Sequence, residues 1–213
     1  MQFRKKLIYI WDYYKFHILG VIVVIILLVQ LIMHFLNSEN VLLNVAFVNF
    51  NPSETLCQDL TDPLRVSEDA SRNDSIQYYG NLYLTEDTSD PKYEYVQPSE
   101  IKITSLINEQ QLDIALCDEK SFQAFATQGY LANLSDFIGS LPDLDLQEEL
   151  KPYLAGAKTP SGSLPVGLIV IKLGAFSSYN MNETLYLCVL ANTPNTQQAA
   201  YYIKSLSYTS LPQ

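Results

Sequence analysis

The sequence predicts an α/β domain built on a single mostly parallel sheet with helices on both faces, preceded by one transmembrane helix. Three observations carry that prediction. An unbroken apolar stretch, ILGVIVVIILLVQLIMHFL, covers residues 18–36. Beyond it, short apolar runs rich in β-branched residues end at turn formers, the pattern of buried strands. Between those runs stand segments whose apolar residues recur at i, i+3 and i+4, the pattern of helices packed on a sheet.

The apolar stretch has 19 residues, with Gly20, Gln30 and His34 its only members outside the strongly apolar set. As a helix it spans about 28 Å, close to the hydrocarbon thickness of a bilayer. A buried core helix of this length keeps a polar face, and this one has none. Arg4, Lys5, Lys6 and Lys15 precede it against Asp12 alone, a net +3, whereas Glu39 follows it and the next basic residue is Arg65. Positive flanks stay inside, so the N-terminus is expected in the cytoplasm and residues 37–213 outside the cell membrane. Tyr9, Trp11, Tyr13, Tyr14 and Phe16 fit an interfacial belt. The exit HFLNSE offers no small-x-small cleavage site, so the helix reads as an uncleaved signal anchor. Gln30 reads as a tolerated amide or a hydrogen-bonding group toward a partner helix. The expected divisions are a flank at 1–17, the span 18–36, a joint at 37–40, the extracytoplasmic domain 41–208 and a tail at 209–213.

The whole-chain averages follow from these unlike parts. The chain has 213 residues, 48% hydrophobic and 17% charged, with a net charge of -10; its mean hydropathy is +0.04. Residues 37–213 hold nine basic and 22 acidic side chains, a net -13. That acidity excludes nucleic acid as a partner, because phosphate binding needs clustered Lys and Arg. Low charge and 12% aromatic residues exclude a disordered chain.

Within the outer domain, VLLNVAFV (41–48) reads as the opening strand, closed by Asn49, Asn51 and Pro52. A helix through Leu56, Cys57 and Leu60 follows, before Pro63. Residues 76–85 read as a second strand with a bend at Gly80, and 86–98 as an acidic, proline-bounded loop. Ser99 is expected to cap a helix carrying Ile103, Leu106 and Ile107. LDIALC (112–117) is the third strand. Asp118 caps the next helix, Phe122, Phe125 and Ala126 share its inner face, and Gly129 stops it. Short helices are expected within 131–141 and 146–154. LPVGLIVI (164–171) and LYLCVL (185–190) are the late strands. Thr193 and Pro194 are expected to open the last helix, with Ala199, Ile203 and Leu206 facing inward.

The missing chemistry is restrictive. His17 and His34 are the two histidines, so residues 37–213 contain none. That excludes Ser-His-Asp and Cys-His catalysis and the usual histidine zinc sites there. Cys57, Cys117 and Cys188 are too far apart in sequence for a C-x-x-C pair. Cys117 and Cys188 read as free buried thiols, a disulfide requiring adjacent strands and a short Cα separation. The acidic pairs Asp118/Glu119, Asp143/Asp145 and Glu148/Glu149 read as solvated faces, since glycosidase carboxylates come from separate elements across a cleft. GAKT (156–159) lacks the spacing of a phosphate loop, and Asp143/Asp145 lack the glycine and closing Glu of a calcium loop. No cofactor or metal is expected.

The order of these pieces resembles bacterial extracellular solute-binding proteins. LDIALCDEKSFQAFATQGYLANLSDFI (112–138) is similar to their segment in which a strand delivers an acidic residue to the cleft and a helix leads to G-x-L-x-x-L. LPVGLIVIK (164–172) resembles the strand that crosses to their second lobe. LYLCVLANTPNTQQAAYYIKSL (185–206) resembles the strand and helix that return, and LNVAFVN (43–49) the opening strand. The link after residue 171 is too short to hold a second lobe, so the resemblance implies a single lobe. The N-terminal KKLIYIWDYYKFHILG resembles membrane anchors of Clostridia-type Firmicutes proteins.

One lobe leaves a ligand half exposed, so the leading expectation is a non-enzymatic accessory or scaffold for an envelope or transport complex. The rival is a tethered sugar- or peptide-binding or sensing lobe, and a carboxylate-dependent enzyme stands third. If a ligand site exists, it lies at the carboxyl ends of the strands, where Asn49, Asn51 and Asp118 are the candidates.

Overall fold

A computed structural model describes residues 17, 19–33, 40–65, 74–139, 144–170, 176 and 184–208. The chain divides into two units, Met1–Asn40 and Val41–Gln213. In the first, residues 19–33 form a helix (α1). Its large apolar side chains are all exposed, from Leu19 to Met33. Residues 18 and 34–36 of the expected span lie outside the described residues, as do the flank up to 16 and the tail 209–213. Among the described residues no helix is long and apolar enough to cross a membrane.

The second unit is a mixed α/β structure on one six-stranded sheet, in the order β2-β1-β3-β6-β5-β4. Strands are β1 (Asn40–Val48), β2 (Asp74–Leu82), β3 (Ile114–Cys117), β4 (Leu154–Thr159), β5 (Gly162–Ile169) and β6 (Tyr186–Val189). Helices are α2 (Glu54–Arg65), α3 (Val96–Asn108), α4 (Glu119–Thr127), α5 (Leu134–Gly139), α6 (Leu144–Leu150) and α7 (Thr196–Tyr208).

The sheet is parallel at one end only. β1 and β3 run parallel, with Val45 opposite Ile114 and Val48 opposite Cys117. β1 and β2 finish side by side, Asn49 N donating to Leu82 O at 2.8 Å. The other pairings, β3 with β6, β5 with β6 and β4 with β5, are antiparallel. The expectation of a mostly parallel sheet is corrected by the β4–β5 hairpin, whose first strand has only faint apolar alternation in the sequence. Its two-residue loop, Pro160-Ser161, ends at Gly162 with φ +120°, a conformation open to glycine. Proline second and glycine fourth in T-P-S-G is a tight-turn signature.

Both faces of the sheet are covered, and strand alternation assigns each residue to one of them. Leu43, Val45 and Phe47 of β1, with Ile114 and Leu116 of β3, join Leu56 and Leu60 of α2 and Tyr202, Ile203 and Leu206 of α7. Ala46 and Val48, with Ala115 and Cys117, face Ile103 and Leu106 of α3 and Phe122 and Phe125 of α4. The second face is built from small strand residues, because the phenylalanines of α4 supply the bulk. Gly167 on β5 is the tightest case, since a Cβ there would stand 2.7 Å from Phe122 Cε2. Cys188 faces Ala115 and Cys117 faces Tyr186, so the two cysteines are diagonal neighbours. Cys57, Cys117 and Cys188 are free thiols.

Helix ends show where local signals held. Asp118 caps α4 through Ser121 N at 3.1 Å. Gly129 ends it at φ +75°. Gly129 N donates to Ala126 O and Tyr130 N to Phe125 O, with the Tyr130 and Phe125 rings 6.4 Å apart. This is a Schellman ending with its hydrophobic contact. Ser99 is not a cap. α3 starts at Val96, after a 3-10 turn at Tyr93–Tyr95. Pro98 is accommodated because the first turn has no intrahelical use for its missing N–H. Ser99 Oγ instead donates to Tyr95 O and accepts from Tyr83 N. The expected helix over 146–154 stops at Leu150, before Pro152, and the chain turns into β4. The last helix starts two residues later than expected, at Thr196, and Asn195 O accepts from Ala199 N.

Candidate functional site

The β1–α2–β2 and β2–α3–β3 connections lie on opposite faces of the sheet. The carboxyl ends of β1 and β3 therefore flank the point where the chain changes face, the position at which α/β sheets open a crevice. Asn49 ends β1 and Asp118 follows β3. The register pairs Val48 with Cys117, so it brings the next residues, Asn49 and Asp118, together.

Asn49 adopts φ 58°, a left-handed turn that Asn tolerates better than most side chains. Its Oδ1 accepts from Leu84 N at 2.9 Å. Its Nδ2 donates to Leu84 O at 2.7 Å, and is shared with Ser121 Oγ at 3.1 Å and both Asp118 oxygens at 3.2 Å. The amide thus ties the segment after β2 to the end of β1 and the start of α4. Asp118 is half-buried and also accepts from Ser121 N. Both side chains direct their polar atoms into this clamp.

Asn51 stands apart from the pair and is exposed. Its Nδ2 donates to the Tyr83 hydroxyl at 2.9 Å, and its Oδ1 accepts from Asn81 N at 3.2 Å. Tyr83 belongs to an aromatic rim that is not among the residues expected at the site. Its ring lies 6.0 Å from Tyr95, and the Lys92 ammonium sits 4.5 Å over it. Tyr93 and Tyr95 remain exposed. The Tyr95 hydroxyl is pushed up from its ordinary pKa by its hydrogen bond with the Glu94 carboxylate. Asp87, in the loop before them, is held below its usual value by hydrogen bonds from Ser89. The signal available in the sequence was the tyrosine-rich KYEY inside a polar, acidic segment.

A second polar cluster lies at the opposite end of β3. Asp113 is fully buried. Its carboxylate accepts from Asn44 N at 2.8 Å and from Asn44 Nδ2 at 3.3 Å. Asn195 Nδ2 donates to both its oxygens at 3.2 Å, and the Thr193 hydroxyl donates to Oδ1. Thr193 Oγ1 in turn accepts from Asn195 N, fixing the turn that leads into α7. This cluster holds the C-terminal helix to the parallel half of the sheet.

Among the described residues, no group of three or more His, Cys, Asp or Glu side chains is placed to hold a metal ion. No protein-family model, curated protein or solved structure matches the chain.

Proposed function

We propose that the chain is a single-pass, membrane-anchored binding or interaction module that displays a non-enzymatic α/β lobe outside the cell and serves an envelope or transport complex. The observation that carries the non-enzymatic reading is the use of Asn49 and Asp118. These polar groups at the carboxyl ends of β1 and β3 are spent on each other and on Leu84 and Ser121. Residues 37–213 also hold no histidine to act as a base.

The anchor is supported by the apolar 18–36 run, its +3 flank and the exposed apolar sides of α1. The resemblance to one solute-binding lobe is supported by the placement of β6 beside β3 and of α7 in the core shared with α2. It is also supported by the G-x-L-x-x-L segment, where Gly129 ends α4 and Leu131 and Leu134 are buried. One observation favours the rival, a tethered sugar- or peptide-binding lobe: Asp118 and Asn49 meet at the sheet's change of face.

Pull-down of the full chain from detergent extracts, with thermal-shift screening against sugars and peptides in parallel, tests the reading. Recovery of a stoichiometric membrane or envelope protein supports it. A ligand shift abolished by Asp118→Ala and kept by Asp136→Ala, with no protein recovered, replaces it with the rival.

A further inference from the structure

The start of α3 and the 3-10 turn before it carry an exposed apolar strip. Tyr93 is 43% exposed, Tyr95 50% and Ile101 64%. Tyr95 stands at the N-cap of α3, and Pro98 and Ile101 follow on its exposed side. Val96, Ile103 and Leu106 form the buried side. The strip is therefore not the helix's packing face. Elsewhere in this unit, among the described residues, the large exposed apolar residues are Val41 and Tyr201.

The charge around the strip is mainly acidic. Residues 86–102 contain Glu86, Asp87, Asp90, Glu94 and Glu100 against Lys92 and Lys102, the latter 5.3 Å over the Tyr79 ring, and Lys120 acts on Asp87. Lys92 is seated on the Tyr83 ring. The Tyr95 ring is held in place before any partner arrives, because Tyr83 packs on it and accepts from Asn51. A tyrosine presented on a rigid frame amid an excess of one charge is what a specific protein interface uses for anchoring and steering.

The geometry points to Tyr93, Tyr95 and Ile101 as the docking face of this module, for a protein segment that presents lysine or arginine beside aliphatic side chains. Such a segment covers the apolar strip with its stems and neutralises the surrounding carboxylates with its cationic ends. This rests on the interaction-module reading and names the face that reading uses.

The test measures binding of a leucine/lysine peptide to the full chain in neutral-lipid nanodiscs, with empty nanodiscs subtracted. A leucine/glutamate peptide and a neutral oligosaccharide serve as competing probes. The lysine peptide is expected to bind, to weaken as salt is raised, and to lose at least tenfold in affinity in Tyr95→Ala/Ile101→Ser. Tyr201→Ala is expected to leave it unchanged. Equal loss in both variants, no loss in the double variant, or preference for either competing probe overturns the inference. If a natural partner recovered by pull-down is kept by Tyr95→Ala/Ile101→Ser, the docking face is wrong while the interaction module stands. If no partner is recovered, the module reading fails first.

Discussion

Replacing Asp113 with alanine removes one carboxylate that serves four donor groups from three residues: the Asn44 backbone and side chain, the Thr193 hydroxyl and the Asn195 amide. A buried donor left without its acceptor costs about 1–3 kcal/mol, and more where the lost acceptor was charged. Asn44, Thr193 and Asn195 are half-buried, so water reaches some of them and the costs do not simply add. The expected loss is about 3–5 kcal/mol, a large fraction of a typical domain's stability. For a domain of this size that lowers Tm by about 6–20 °C. Asp113→Asn keeps one acceptor oxygen but turns an N–H toward donors, so it should fall between wild type and alanine. The assay is thermal and urea unfolding of the full chain in nanodiscs, read by near-UV circular dichroism. Hydrogen exchange across 196–208 should rise in parallel, because Asp113 holds the turn into α7. A loss within about 0.5 kcal/mol, the range of an ordinary surface substitution, or unchanged exchange in α7, would refute the role given to this carboxylate.

Three further outcomes follow from the packing and the ionisable groups. Gly167→Ala forces a Cβ against the buried Phe122 ring, which is itself stacked on Tyr186 at 4.6 Å; it should cost about 1–3 kcal/mol in urea unfolding. Gln110 ends α3 with φ 55° and its N–H on Ile107 O, so Gln110→Gly relieves left-handed strain and should stabilise by about 0.5–1 kcal/mol in the same assay. The Cys117 thiol is pushed well above its ordinary 9.0 by its hydrogen bond with Cys188 and then by burial, and burial first of all pushes Tyr202 well above 10.0. Both folded-state values exceed the unfolded ones, so the stabilisation is complete below about pH 9 and is lost as pH rises beyond it. Unfolding against pH should be flat for these groups up to that point, and Cys117→Ala should make the fall above pH 9 shallower, with the raised Cys57 thiol and Tyr202 still contributing.

Much of the parallel half of the sheet was legible in the sequence because its strands are strongly apolar and its helices carry explicit ends. VLLNVAFV and LDIALC name β1 and β3, and Asp118 and Gly129 bracket α4 by cap chemistry alone. β4 was not legible. Its inward residues are Ala155 and Ala157, small because α4 supplies Phe122 and Phe125 across from them, so the alternation that marks a strand is faint. The direction of β6 was equally hidden, since an apolar run does not state which way it pairs. Of the candidate site, the meeting of Asn49 and Asp118 was foreseeable once both were placed at strand ends. The saturation of the Asn49 amide by Leu84 was not, because it depends on where the chain leaves β2. The Asp113 cluster joins residues 69 and 82 positions away, and only the strand register and the position of α7 bring them together.

Membrane fractionation with surface proteolysis tests most directly the proposal of an anchored module with its acidic lobe outside. Intact cells expressing the full chain are treated with an impermeant protease, then lysed and separated in alkaline carbonate. The untreated chain is expected to stay in the carbonate-resistant membrane pellet and to be released by detergent. Protease is expected to remove the 37–213 lobe while a tag at the N-terminus survives with a fragment of the anchor. A chain released by carbonate, or a lobe degraded only after lysis, would contradict it.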